Sequence, residues 1–420
     1  MTADLLNVYR RHVDEILLPF WMRAVDGEHG GVFTCFNNRG TERLSSDKYT
    51  WSQGRFIWIW SRLVWLRRQG MMEGEAEPLL EQARAAVEFI QEHAFLESGS
   101  IAFLLTETGE RKESIPGAEY DTSFYADCFV VLGFTEYARV SGELHVLLQA
   151  LELYDSIMRR LGSANVRSEP YPAPEGLELH AYSMIMLNVS QELAEVLGQF
   201  RHARAQDVDD DSVRFMETIV GRFAAEDGTL FEMVDEQGVN GKKETLLCRY
   251  VNPGHTIECM WFIMKTAERH RRKDVIKQAC DITKHALELG WDTEYGGLLR
   301  FVDYKGGQPK GTLTGDENER LILGSWDTKL WWPHSESLYT TLLAYEMSGD
   351  EAFRIWHEQI HEFTFKVFPN PDPDVGEWIQ IRNRHNEPLD KIVALPVKDP
   401  YHILRNMLLL VELLTKRVKE

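Results

Sequence analysis

One layout recurs along this chain and limits its fold more than any other feature. Five segments each read as glycine, a short alternating strand, a turn and a polar return. They are GGVFTCFNNRG (30–40), GSIAFLLTETGE (99–110), GTLFEMVDEQG (228–238), GGLLRFVDYKGG (296–307) and GEWIQIRNRHNEP (376–388). They begin about 70 residues apart, or about twice that across one gap, the signature of a repeat architecture. In the gap, SANVRSEPYPAPEG (163–176) takes the sixth place. Between these connectors, helical period and breakers predict helices over 3–24, 50–69, 78–94, 121–141, 144–161, 178–198, 205–224, 254–271, 273–289, 332–348, 350–367 and 400–418. Links from even to odd helices are short, as in VSGE (140–143), RHRRKD (269–274) and MSGD (347–350). Short links make neighbouring helices antiparallel, so every even helix starts on the same rim. The even helices are apolar on most faces, which an enclosed inner layer requires and an open solenoid does not. The expected fold is all-α: an (α/α)6 barrel of twelve helices, with short β-hairpins in the long connectors on one rim. One catalytic domain is expected to span 1–420.

Composition narrows the function. With 46 basic and 66 acidic residues the net charge is −20. A surface of that sign argues against a nucleic-acid partner. The five cysteines (Cys35, Cys128, Cys248, Cys259, Cys280) are scattered and form no CxxC pair. They fit reduced thiols in the cytoplasm better than a disulfide framework or a zinc site. The first residues, MTADLLNVYRRHVDEILLPFW, place Asp and Glu within their apolar pattern and lack a signal-peptide core. No stretch approaches the ~20 uninterrupted apolar residues of a membrane span. Secretion and membrane insertion are not expected.

Two phrases match each other. Asn252-Pro253-Gly254-His255 and Asp399-Pro400-Tyr401-His402 each spell a cap, a proline at the first helical position, one residue, then histidine. Asn and Asp accept bonds from the free N–H groups of a helix start, and proline has no N–H to leave unpaired there. Each phrase sets a histidine in the first turn of an inner helix, which suggests paired proton-transfer groups at one rim. The other inner helices bring polar and aromatic groups to that rim: Trp51 and Arg55; Tyr125 and Asp127; His180; Glu258 after His255; Trp332, His334 and Glu336; and Arg405 after His402. Aromatic faces cover sugar C–H groups while polar groups bond hydroxyls, so the cup is expected to take a carbohydrate. His357-Glu358-Gln359-Ile360-His361 matches a zinc-protease signature but falls in the middle of an outer helix. It is expected to be packing, and no metal site is expected.

WSQGRFIWIWSRL (51–63), YADCFVVLGFTEYARVSG (125–142), NPGHTIECMWF (252–262), WDTKLWWPHSESL (326–338) and DPYHILRNM (399–407) resemble the N-acylglucosamine 2-epimerase family. That family also includes cellobiose 2-epimerases, mannose isomerases and mannose 2-epimerases. The resemblance implies a carbohydrate isomerase on an (α/α)6 barrel. It implies that His255 and His402 are the acid/base pair, with Arg55 and Glu258 as partners. It also implies substrate contacts from Trp51, Tyr125, Asp127, His180, Trp332, His334, Glu336 and Arg405. The expected substrate pair is N-acetylglucosamine and N-acetylmannosamine. Unsubstituted hexoses, with epimerisation or aldose–ketose isomerisation, are the alternative, and an inverting glycoside hydrolase or a sugar-binding barrel stands behind them. No cofactor is required by this chemistry. Some family members use ATP as an activator, and no sequence signal here marks such a site. A small sugar is the expected partner, with a homodimer as the candidate assembly.

Overall fold

The inner helices are apolar nearly all round, and this drives them together at the centre. In the computed structural model, which describes residues 2–163, 166–241, 243–393 and 395–419, α3 (Thr50–Arg68) buries Phe56, Ile57, Trp58, Ile59, Trp60, Leu63, Val64 and Leu66. Such a helix has no face left for water. By contrast α4 (Glu77–His93) buries a single stripe of Leu79, Leu80, Ala83, Ala86, Val87 and Ile90, the pattern of an outer helix. The same contrast separates α5 (Phe124–Ser141) from α6 (Leu144–Gly162), and α9 (Pro253–Arg269) from α10 (Lys273–Gly290).

The remaining barrel helices complete the expected twelve. The first runs from α1 (Thr2–Arg11) through a wider π-turn segment into α2 (Leu18–Arg23). The others are α7 (His180–Gln199), α8 (Ala205–Thr218), α12 (Trp331–Ser348), α13 (Glu351–Val367) and α14 (Tyr401–Lys419). One further helix, α11 (Glu317–Ser325), sits within the connector before α12 and was not expected. Its start is capped by Asp316, whose side chain accepts from the Asn318 N–H. The inner helices contact in the order α3, α5, α7, α9, α12, α14 and back to α3, which closes the ring. Gly142 and Gly349 end α5 and α12 in the left-handed conformation and make the short links to the outer layer.

The connectors repeat as expected, and their pairing is more specific than a set of separate hairpins. After each of five outer helices, a turn is closed by an isolated bridge: Val25 with Val32, Phe95 with Ile101, Ala224 with Leu230, Trp291 with Leu298, and Pro369 with Trp378. Beyond each bridge the chain pairs with its neighbour. The strand that precedes an inner helix is antiparallel to a strand from the next connector: 48–49 with 104–105, 178–179 with 233–234, 250–251 with 302–303, and 329–330 with 381–382. Strands 104–105 and 111–112 also form a true hairpin. In the sixth connector Ser123 bridges Ser168. Ala164 and Asn165 of that connector lie outside the described residues. The rim is thus laced from each repeat to the next.

The closest helix contact lies between α3 and α5. A Cβ on Gly54 would stand 2.4 Å from the Phe129 carbonyl oxygen, so only glycine allows the two backbones to meet. Gly54→Val is expected to lower the unfolding free energy by about 3 kcal/mol, the upper end for overpacking. Gly198→Ala, which meets no atom within 4 Å, should leave stability equal or slightly higher. Urea denaturation of the two variants checks this contrast.

Candidate active site

The inner helices begin around a cavity of about 650 Å³. Trp51, Arg55, Tyr125, His255, Glu258, Trp332, His402 and Arg405 all line it. Both cap phrases do their local work. The Asn252 side chain accepts from the His255 N–H (3.3 Å), and Asp399 Oδ1 accepts from the Tyr401 N–H (2.9 Å). Gly254 serves a second purpose, since a Cβ there would fall 2.7 Å from the Trp332 indole. The indole therefore packs against the start of α9. Its ring lies 5.2 Å from the His255 ring and 5.6 Å from the His402 ring, so one tryptophan packs beside both histidines.

Each histidine has its own carboxylate. His255 Nδ1 is 2.9 Å from Glu232 Oε2. His402 Nδ1 is 2.7 Å from Glu336 Oε1. Burial alone would lower the His255 pKa, but the Glu232 carboxylate overrides it and the pKa is raised. Burial in turn opposes ionisation of Glu232, yet His255 and His180 hold its pKa down at about 2. An ionised Glu232 accepts the Nδ1 proton of a neutral His255, which leaves the Nε2 lone pair free. The same logic applies to His402 on Glu336, a carboxylate kept ionised by Arg405 and His402 against the effect of burial.

Arg405 is 1% exposed, and its Nη2 contacts both Glu258 and Glu336. The guanidinium packs against the Tyr401, Trp261 and Phe262 rings. It is a buried strut more than a free hand for substrate. Glu258, Glu336 and His402 bring donor atoms within 4.8 Å of one another, but the guanidinium is already the cation bound by both carboxylates. These residues do not fit a resident metal ion. Arg55 lies 3.2 Å from Asp399 Oδ2 and stacks over Phe129 at 3.9 Å. Its Nε is buried without a hydrogen-bond partner among the described residues.

Four expected contact residues stand outside the cavity lining. Asp127 is fully buried, accepts from the Ile101 N–H (2.8 Å) and pairs with Arg160 (3.2 Å). Burial pushes its pKa up to about 6. His334 is spent on the backbone, with Nδ1 2.6 Å from the Leu330 carbonyl oxygen and Nε2 2.9 Å from the Leu298 N–H. Burial drives its pKa down to about 3. His180 is buried behind Glu232, 3.8 Å from its Oε1. Glu336 is fully buried too, but it carries His402 and accepts from the Trp261 indole N–H (2.8 Å). Glu258, three residues after His255, does not hold that ring, which rests on Glu232. The Arg405 charge draws the Glu258 carboxylate away, and it lies 3.6 Å from His402 Nδ1. In the zinc-like phrase, the Tyr9 hydroxyl lies 3.1 Å from both His357 Nε2 and His361 Nδ1, so the cluster is packing between α1 and α13.

The residue that sequence reasoning missed is Glu232. It stands two places past the bridge in its connector, as Thr34, Phe103, Arg300 and Gln380 do in theirs. An acid within the apolar run Leu230–Phe231–Glu232–Met233 was the available signal. Asp399 was read only as a cap, yet its Oδ2 also lies near Arg55 and 3.6 Å from His402 Nε2.

A helical barrel with two carboxylate-held histidines at its mouth has the equipment of an acid/base isomerase. The chain belongs to the N-acylglucosamine 2-epimerase family, whose model matches residues 31–406. It is 30% identical to the N-acylglucosamine 2-epimerase of Rattus norvegicus over 96% of this chain and 91% of that protein. It is 21% identical to a cellobiose 2-epimerase of Ruminococcus albus, over 95% and 96% respectively. Among solved structures, a D-mannose isomerase superposes with a TM-score of 0.76 at 16% identity, covering 97% of each chain. The (α/α)6 barrel and the place of this chain among carbohydrate isomerases stand as expected.

Glu232→Gln should remove the charge that raises the His255 pKa. The acid limb of the kcat/KM profile is then expected to move to lower pH, with kcat about tenfold lower or more, as when an orienting partner is lost. A pH–rate profile of this variant beside wild type checks both effects.

Proposed function

We propose that the cup inverts C2 of an N-acylated aldose, interconverting N-acetylglucosamine and N-acetylmannosamine, with His255 and His402 as the two proton-transfer groups. The observation that carries this reading is the pair of histidines, each with Nδ1 on its own carboxylate and both beside Trp332 at the cavity wall. After the sugar ring opens, one imidazole removes the C2 proton and leaves an enolate with its charge on O1. The other returns a proton to the opposite face. Histidine suits both steps because its pKa lies near working pH. The positive end of α9 favours neutral His255 while Glu232 favours the imidazolium, so the ring is poised between its two states. Arg55 carries a stacked guanidinium at the cup wall and stabilises the developing oxyanion at O1. Glu232, Glu336, Glu258 and Arg405 position the histidines.

The identity to N-acylglucosamine 2-epimerases, 30% against 21% for a cellobiose 2-epimerase, supports the N-acyl substrate. His180, an expected substrate contact, is buried outside the cavity lining. Inverting hydrolysis needs a carboxyl group that stays protonated to act as acid. Glu232 and Glu336 are both held ionised, and Asp127, which is not, lies outside the cup. In this reading the histidines do the chemistry without a cofactor, and residues 1–420 act as one catalytic domain. The five buried, unpaired cysteines suit a reducing cytoplasm. No described helix is long and apolar enough to cross a membrane.

His255→Ala and His402→Ala are each expected to lower kcat by about 10³-fold or more while the fold persists. Near-normal turnover in either variant would sink the two-histidine scheme. Incubation in D2O with N-acetylmannosamine, mannose, glucose and cellobiose in parallel tests the substrate. Deuterium at C2 of the N-acetyl epimer supports the proposal. A ketose product, or exchange only with the unsubstituted sugars, replaces it with the isomerase or hexose reading.

A further inference from the structure

A second cavity of about 200 Å³ lies beside the cup and shares a wall with it. Arg300, Leu321, Ile381, Lys391, Ile392 and Val393 line both. Three of the side cavity's lining residues, Arg300, Arg320 and Lys391, are cations, and none is an acid. This runs against a chain whose net charge is −20.

Arg300 is the buried member, only 6% exposed. Arg55 and Arg405 in the cup each have a carboxylate, but among the described residues Arg300 forms no ion pair. Its neighbours are neutral. Nη1 donates to Ser325 Oγ (3.0 Å), which itself donates to the Leu321 carbonyl (2.7 Å). The Tyr171 hydroxyl lies beside the guanidinium, and the Phe301 ring is 4.8 Å away. A guanidinium carries five N–H donors, and these contacts leave its charge without a counter-charge. Burying a lone cation is costly, and burial lowers the Arg300 pKa accordingly. Neither Arg320 nor Lys391 forms an ion pair among the described residues. Three unpaired cations around one hollow suit an oxyanion, which the planar fork of arginine binds through two parallel bonds.

We infer that the side cavity is an anion subsite for a phosphate-type oxyanion, with Arg300 as its buried counter-charge and Arg320 and Lys391 at its mouth. The oxyanion comes either on the far end of the sugar held in the cup or as a separate small molecule. The first source rests on the epimerase reading; the second does not.

The test titrates inorganic phosphate and N-acetylglucosamine 6-phosphate into wild type, Arg300→Gln and the Arg320→Gln/Lys391→Gln double variant by calorimetry. Turnover of neutral N-acetylglucosamine is followed in parallel. Phosphate is expected to bind wild type, at least tenfold more weakly to Arg300→Gln, and about threefold more weakly to the double variant. Epimerisation of the 6-phosphate at a kcat/KM equal to or above that of the neutral sugar places the anion on the substrate. Phosphate binding without turnover of the 6-phosphate assigns it to a separate molecule. Absence of phosphate binding, or equal binding to wild type and Arg300→Gln, overturns the subsite and leaves the epimerase reading untouched. Arg300-dependent phosphate binding in a protein that turns over no sugar does the reverse. If Arg300→Gln does not fold, the double variant decides, because it alters only exposed side chains, and unchanged binding there overturns the inference.

Discussion

The rim of this barrel depends on one buried cation. The Arg405 guanidinium bonds Glu258 from α9 and Glu336 from α12 while its own backbone belongs to α14. Three inner helices are therefore pinned at the level where substrate would sit. Two buried carboxylates this close would repel each other without it, and one would take up a proton. With Arg405 present, Glu336 stays ionised and can carry His402 on its remaining acceptor capacity. The position of one imidazole thus follows from an ion pair that ties three helices together. Such buried pairs rarely add much stability, and their value here lies in geometry.

The two histidines are held by carboxylates of different origin. His402 depends on a carboxylate from the next inner helix, held by the Arg405 strut. His255 depends on a carboxylate from a connector strand, tied down by backbone pairing to its neighbour. One support is electrostatic and deep, the other is a β-ladder at the surface of the rim. The rim lacing therefore has a chemical role as well as a structural one. It brings Glu232 to the start of α9, and it sets Gln380, which bonds the backbone on both sides of Asp399, near the start of α14.

Much of this was legible in the sequence. Twelve helices followed from apolar period and glycine or short polar breaks, and the histidines followed from cap chemistry that acts within four residues. What was not legible acts across larger separations. Glu232 lies 23 residues from His255, while Glu258 lies three away and looks the nearer partner. Only the approach of Arg405, 147 positions beyond Glu258, shows why that carboxylate turns elsewhere. Strand partners were hidden because each paired segment is two residues long, too short for a register to show in alternation. The short helix α11 was hidden for a similar reason, since ENERLILGS makes only about two and a half turns. Asp127, His180 and His334 passed as contact residues because polar groups at helix starts look alike until burial separates those that face the cup from those that face a neighbour.

The order in which the ring closes along the chain has a consequence for how the protein is made. The first helix packs against α14, and α14 also bridges α12 and α3. Until α14 leaves the ribosome, the inner layer is an open arc with an apolar edge on each side. Glu258 and Glu336 then face each other without their cation, and His402 does not yet exist. The last inner helix in chain order is thus both the closing stave of the barrel and the carrier of half the proposed proton-transfer pair.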